Sequence, residues 1–175
     1  MKKITVKEMS YCALFAALMA VCSQIQIPLP LIPINLAIFA VLLCGGLLRP
    51  VCALLALGTY VLLGLVGVPV FAGFKAGVGT LFGNTGGYIV GYVLAAYLTA
   101  LFRQRWGASY PRLCVGMAVS VLVCYAFGTV WFMVLSGNGL WVSLSYCVLP
   151  FLPGDALKIL LAALLTRRLQ KALCR

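Results

Sequence analysis

Three charged side chains stand apart from the basic clusters of this chain: Lys75, Asp155 and Lys158. Asp155 and Lys158 are three apart, so a helix places them on one face. A charge inside a bilayer costs on the order of 2.5–3.5 kcal/mol, so such a pair is kept for a reason. One reading is mutual neutralisation that merely holds a helix in place. The other is a ligand site, in which a Lys anchors a carboxylate and an Asp accepts ligand N–H groups. Pro150 and Pro153-Gly154 make an irregular entry to that helix. Asp155 then falls in its first turn, where the helix dipole favours a carboxylate.

A second feature is the glycine-rich run from Val68 to Tyr88, with glycines at 73, 77, 79, 83, 86 and 87. Non-helical backbone at membrane depth survives where protein or an aqueous cavity satisfies it. Small residues equally allow close helix packing, and both readings stay open. If it lines a cavity, its candidate ligand contacts are Phe71, Lys75, Gly77, Asn84 and Tyr88. It is not a P-loop, since no Gly-Lys-Ser/Thr follows at the required spacing. Nothing in the chain could hold ATP, so any energy must come from a partner or an ion gradient. Ala13/Ala17 and Ala16/Ala20 form overlapping small-x-x-x-small pairs, a ridge for another helix or for packing within the bundle. The stretch Gln24 to Asn35 has prolines at 28, 30 and 33 and no charge. It reads as a stiffened lid or as a plain connector.

The elements that must position these residues follow from composition. Of 175 residues, 65% are hydrophobic and 9% charged. A soluble domain carries about 25% charge, so a water-soluble enzyme and a disordered chain are excluded. Glu8 and Asp155 are the two acids and His is absent. A membrane-embedded enzyme, which wants a nucleophile–base pair or convergent carboxylates, is thus poorly supplied, and no metal or cofactor is expected. The net charge of +11 would suggest nucleic acid in a soluble protein. Here the cations cluster between apolar runs and read as membrane orientation. The eight cysteines form no C-x-x-C and mostly sit in apolar runs, as small apolar filler rather than structural disulfides. Lys2 and Lys3 ahead of an apolar stretch ending at Met19-Ala20-Val21-Cys22 mimic a signal peptide. The apolar character continues along the chain, so the stretch is expected to be a retained first span.

The hydrophobic runs predict a single domain, residues 1–175, of six membrane-spanning helices. They lie at about Ser10–Ile27, Pro33–Leu48, Val51–Val66, Gly86–Phe102, Leu113–Leu135 and Pro153–Leu165. A basic loop is expected from Arg103 to Arg112, and a connecting segment with Trp141 and Tyr146 after the turn Ser136-Gly137-Asn138-Gly139. With both termini cytoplasmic, Lys2, Lys3, Lys7, Arg49, Arg103, Arg105, Arg112, Arg167, Arg168, Lys171 and Arg175 all face inward. That is eleven of the thirteen cations, as the positive-inside rule requires. Lys75, Asp155 and Lys158 then converge near the outer face.

Gly67-Val-Pro-Val-Phe-Ala-Gly73, Thr85-Gly-Gly-Tyr88 and Pro153-Gly-Asp-Ala-Leu-Lys158, in this order and topology, resemble the BioY family. These are the biotin-specific S components of energy-coupling factor transporters, and the resemblance spans nearly the whole chain. It implies an S-component fold in a bacterial plasma membrane with a biotin cavity open to the outside. It also implies partners: a transmembrane coupling subunit and two ATPases that drive release inside. The resemblance makes the ridge of Ala13, Ala16, Ala17 and Ala20 the docking surface for the coupling subunit, and the Gln24–Asn35 stretch the lid. Asp155 and Lys158 match the polar pair of the binding site, and Lys75 falls at a variable, often polar, site position. Biotin's ureido ring, sulfur ring and carboxylate tail would engage Asp155, Lys158 or Lys75, and aromatics such as Phe71, Tyr88, Trp141 or Tyr146. Asn84 replaces a proline usual in the family and reads as a site residue or a turn former. Ala37 stands where relatives carry Gln, and any ligand contact of that Gln is lost here. A stand-alone or self-associated biotin carrier, and an S component for another vitamin, are the alternatives to this reading.

Overall fold

The computed structural model describes residues 4–27 and 32–173. They form α1 (Val6–Gln24), β1 (Gln26–Ile27), β2 (Ile34–Asn35), α2 (Ala37–Leu47), α3 (Pro50–Val66), α4 (Val78–Leu81), α5 (Gly86–Trp106), α6 (Tyr110–Ser136), α7 (Leu140–Cys147) and α8 (Leu152–Leu173). Local chemistry sets the ends. Thr5 accepts from the Glu8 N–H at 3.3 Å while the Glu8 carboxylate accepts from the Thr5 N–H at 2.9 Å. This reciprocal capping box starts α1 at Val6, ahead of the predicted Ser10. Its end at Gln24 comes before the predicted Ile27, because Gln26 and Ile27 pair antiparallel with Asn35 and Ile34 instead. Pro50 opens α3, where its missing N–H costs nothing.

Two expected connectors turn out to be helical. The basic loop from Arg103 to Arg112 is largely the last turn of α5 and the first of α6. Arg103 and Arg105 suit a helix C-terminus, and Arg103 also donates to the Leu48 carbonyl at 2.9 Å. The segment with Trp141 and Tyr146 is α7, which meets α8 at a bend of 50°. The run from Gly67 to Thr85 is irregular apart from the four residues of α4.

The long helices pass through the bundle in alternate directions. At one end, Arg49 pairs with Glu8 at 3.0 Å, Arg103 reaches Leu48, and Gln170 donates to the Gly46 carbonyl at 2.8 Å. The start of α1, the α2–α3 turn, the end of α5 and the end of α8 therefore meet there. At the other end lie the hairpin, the 67–85 segment and the start of α8. Small residues let α5 and α6 approach closely. A Cβ on Gly91 would stand 2.9 Å from the Cys124 sulfur, and one on Gly128 2.6 Å from the Tyr88 ring.

By length and composition α1, α5 and α6 can each cross a membrane, and α7 with α8 makes a fourth, bent candidate. The helices α2 and α3 have 11 and 17 residues, or about 17 and 26 Å at 1.5 Å per residue, against a hydrocarbon core of about 30 Å. Nearly all of α2 is buried, so it is surrounded by protein and its length is freed from matching the lipid. The described cysteines are free thiols. Pro28 and Pro30 of the expected lid, and Lys2, Lys3, Cys174 and Arg175, lie outside the described residues.

Candidate ligand-binding site

The two turns of α8 that follow Pro150 carry Asp155 and Lys158 into the bundle, where they are 4% and 9% exposed. Charges this deep must be paired and hydrogen-bonded, and both are. The Lys158 ammonium donates to Asp155 Oδ1 at 2.8 Å and to the Asn35 carbonyl at 2.7 Å. Asp155 Oδ2 accepts from the Tyr125 hydroxyl of α6 at 2.5 Å. The pair is therefore neutral as a unit, held from β2, α6 and α8 together. Asn35 in turn steadies the entry to α2, its Oδ1 accepting from the Ala37 N–H at 3.1 Å.

This network faces a cavity of about 230 Å³. The volume is a little under the range of about 300–1,000 Å³ seen for drug-sized ligands, which suits a small, vitamin-sized molecule. Asp155, Lys158, Lys75, Phe71, Tyr88 and Tyr125 all line it, with Tyr60, Tyr92, Gln26, Asn35 and Phe151. The wall is thus aromatic around one polar cluster, the pattern of a site that orients a small molecule by a few groups. Phe71 stands edge-on to Tyr60 at 5.6 Å between ring centroids, and Tyr88 stacks on Phe151 at 6.1 Å. Phe71 can occupy its place only because residue 64 is glycine: a Cβ there would lie 2.1 Å from the ring. The Tyr88 hydroxyl donates to the Cys147 carbonyl, which ties α5 to the end of α7.

The structure brings Asp155, Lys158, Lys75, Phe71 and Tyr88 to one cavity. Gly77, Asn84 and Tyr146 do not line it. Gly77 takes φ +85° ahead of α4, its N–H donating to the Gly64 carbonyl at 2.7 Å. Asn84 is exposed in the turn before α5. Tyr146 is 49% exposed on α7, and Trp141 is exposed beside it. The alanine ridge divides: Ala13 and Ala17 face outward, Ala20 is half-buried, and Ala16 is packed inside. Sequence reasoning passed over Tyr60, Tyr92, Tyr125 and Gln26 as cavity residues. The available signal was a tyrosine inside an apolar helix, whose hydroxyl must find a partner when buried.

A bundle of apolar helices that closes an aromatic and charge-paired cavity defines a membrane protein that binds a small solute. The chain belongs to the BioY family, whose model matches residues 1–175. It is 36% identical over 164 residues to the probable biotin transporter BioY of Pyrococcus horikoshii, covering 94% of this chain and 96% of that one. The biotin transporter BioY of Thermotoga maritima is 35% identical over 165 residues, with 94% and 96% covered. A crystal structure at 2.1 Å of the S-component for biotin from an ECF-type ABC transporter matches with a TM-score of 0.90 at 26% identity. That match covers 97% of this chain and 95% of the other.

Proposed function

We propose that this protein takes up biotin, capturing it from the outer face of the cell membrane as the S component of an energy-coupling factor transporter. A transmembrane coupling subunit and two ATPases supply the ATP-driven release inside. The observation that carries the reading is the cavity walled by Tyr60, Phe71, Tyr88 and Phe151, with the Asp155–Lys158–Tyr125 cluster in its lining.

Biotin has a ureido ring with two N–H donors and a carbonyl, an apolar sulfur ring, and a carboxylate tail. An ionised carboxylate offers about four acceptor positions and a Lys ammonium three donors. Asp155 uses two acceptor positions and Lys158 two donors within the protein. Acceptor positions remain on Asp155 for ureido N–H groups, and one donor on Lys158 for the ureido carbonyl. The aromatic wall takes the sulfur ring. The positive charge of Lys158 is already cancelled by Asp155, so it adds little net attraction for an anion. Lys75, at the cavity's exposed side, makes no ion pair among the described residues. We assign it the carboxylate. Every charge in the loaded cavity then has a partner.

Six spans with both termini inside are proposed for the membrane topology. The gathering of Glu8, Arg49, Arg103 and Gln170 at one end of the bundle supports it, because the predicted inward-facing cations belong to that end. Lys75 and Asp155 then belong to the outer end. The outward Ala13 and Ala17 remain available to a partner helix.

The test is uptake of labelled biotin by cells that lack their own biotin uptake, expressing this chain with and without the coupling subunit and ATPases. Uptake that requires the module is expected. Equal uptake without it would replace the proposal with a stand-alone or self-associated carrier.

A further inference from the structure

Lys75 is carried by an irregular segment, and something must hold that segment in shape. Its backbone closes a tight loop in which the Phe71 N–H donates to the Lys75 carbonyl at 3.0 Å. Closing it requires Phe74 at φ +56°, a left-handed conformation that bulky L residues adopt rarely. The Phe74 side chain is 72% exposed, so ring packing does not hold that backbone in place. Gln24, the last residue of α1, does. Its Oε1 accepts from the Phe74 N–H at 2.9 Å, while its Nε2 donates to the Val70 and Phe71 carbonyls, each at 3.1 Å. Ser23 beside it donates to the Val70 carbonyl at 2.6 Å. One side-chain amide thus satisfies three backbone groups of the 70–74 segment and fixes the residue immediately before Lys75.

We propose that Gln24 is a positioning residue that aims Lys75 at the ligand's carboxylate, a role that rests on the carboxylate assignment of Lys75 made above. Gln24 lies in α1, while Lys75 lies at the cavity.

The test is equilibrium binding of biotin and of biotin amide, which keeps the ring system and lacks the charge. The proteins compared are the purified full chain, Gln24→Ala, Lys75→Ala and the double variant. Hydrogen bonds to charged groups are worth roughly 10- to 100-fold in affinity. Lys75→Ala is therefore expected to weaken biotin by about 10-fold or more and to leave the amide unchanged. Gln24→Ala is expected to weaken biotin selectively in the same way, and the double variant to bind no worse than Lys75→Ala alone. An equal loss for both ligands in Gln24→Ala, or losses that multiply in the double variant, would overturn the inference and leave the assignment of Lys75 standing. An unchanged acid-to-amide ratio in Lys75→Ala would overturn that assignment and the inference with it. Should Gln24→Ala fail to fold, Gln24→Met keeps the length and bulk of the side chain without charge and gives up its hydrogen bonds to Val70, Phe71 and Phe74. It is expected to lose part of the discrimination, and full retention would overturn the proposal.

Discussion

Neutralising Asp155 should harm the protein twice, and the two harms can be separated. Asp155→Asn keeps the shape of the side chain but removes the charge that balances Lys158, whose side chain is 11% exposed. Breaking one partner out of a buried pair costs about 3–5 kcal/mol, whereas replacing both by apolar residues of similar volume is often neutral. The single variant is therefore expected to unfold at a clearly lower temperature in detergent. Asp155→Asn combined with Lys158→Met removes the unpaired ammonium and keeps an acceptor for the Tyr125 hydroxyl, so it should regain most of that loss. Binding should behave differently. Both variants lack the carboxylate proposed to receive the ureido N–H groups, so neither should bind biotin measurably where the unaltered chain saturates. Thermal unfolding and equilibrium binding on the same preparations make the comparison. A double variant that recovers both stability and biotin binding would show the pair to be a structural neutraliser and would refute the site. A single variant as stable as the parent would show that Lys158 does not depend on Asp155 for its charge balance.

Tyr125→Phe removes a donor from Asp155, and hydrogen bonds to charged groups contribute about 1.5–3 kcal/mol; its unfolding temperature should fall while biotin binding stays detectable, because Lys158 still holds the carboxylate. Complete loss of binding by a folded Tyr125→Phe protein would mean that the hydroxyl itself meets the ligand. Gly64→Ala puts a methyl group where the Phe71 ring lies; overpacking costs about 1–3 kcal/mol, and binding should weaken together with stability. Unchanged behaviour on both counts would contradict the packing of that wall. For topology, Asn138→Cys should react with a membrane-impermeant maleimide on intact cells and Arg105→Cys only after lysis, with the unaltered chain as blank; the reverse pattern would invert the proposed orientation.

The charged residues were the legible part of this chain. A carboxylate and an ammonium three apart in an apolar helix leave few alternatives to facing each other, and the 2.8 Å contact between Asp155 and Lys158 follows that spacing. The cation clusters likewise mark which helix ends lie together, since Arg49 in the α2–α3 turn pairs with Glu8 of α1 and Arg103 of α5 reaches Leu48 in the same turn. Uncharged polar groups were much less legible. Gln24 reads as part of a lid, and its role depends on backbone groups about 50 positions away, which no local pattern reports. The glycine-rich run drew attention to Gly77, yet the glycine that admits Phe71 is Gly64, inside the apolar face of α3. Glycine content alone does not tell which one meets a ring. Tyr146 and Trp141 read as ligand contacts by aromatic type alone, but α7 turns both outward. Asn84 departs from the family's pattern, yet it sits in an exposed turn. The Thr5 and Glu8 pair that starts α1 was readable by rule, but an apolar window does not register a cap made of polar residues.

Whether this chain alone forms a biotin site is decided by equilibrium binding of labelled biotin to the purified chain in detergent, with thiamin and riboflavin as competitors. Saturable binding is expected that excess thiamin and riboflavin leave unchanged and that unlabelled biotin displaces. Absence of binding by folded chain, or displacement by either competitor, would contradict such a site.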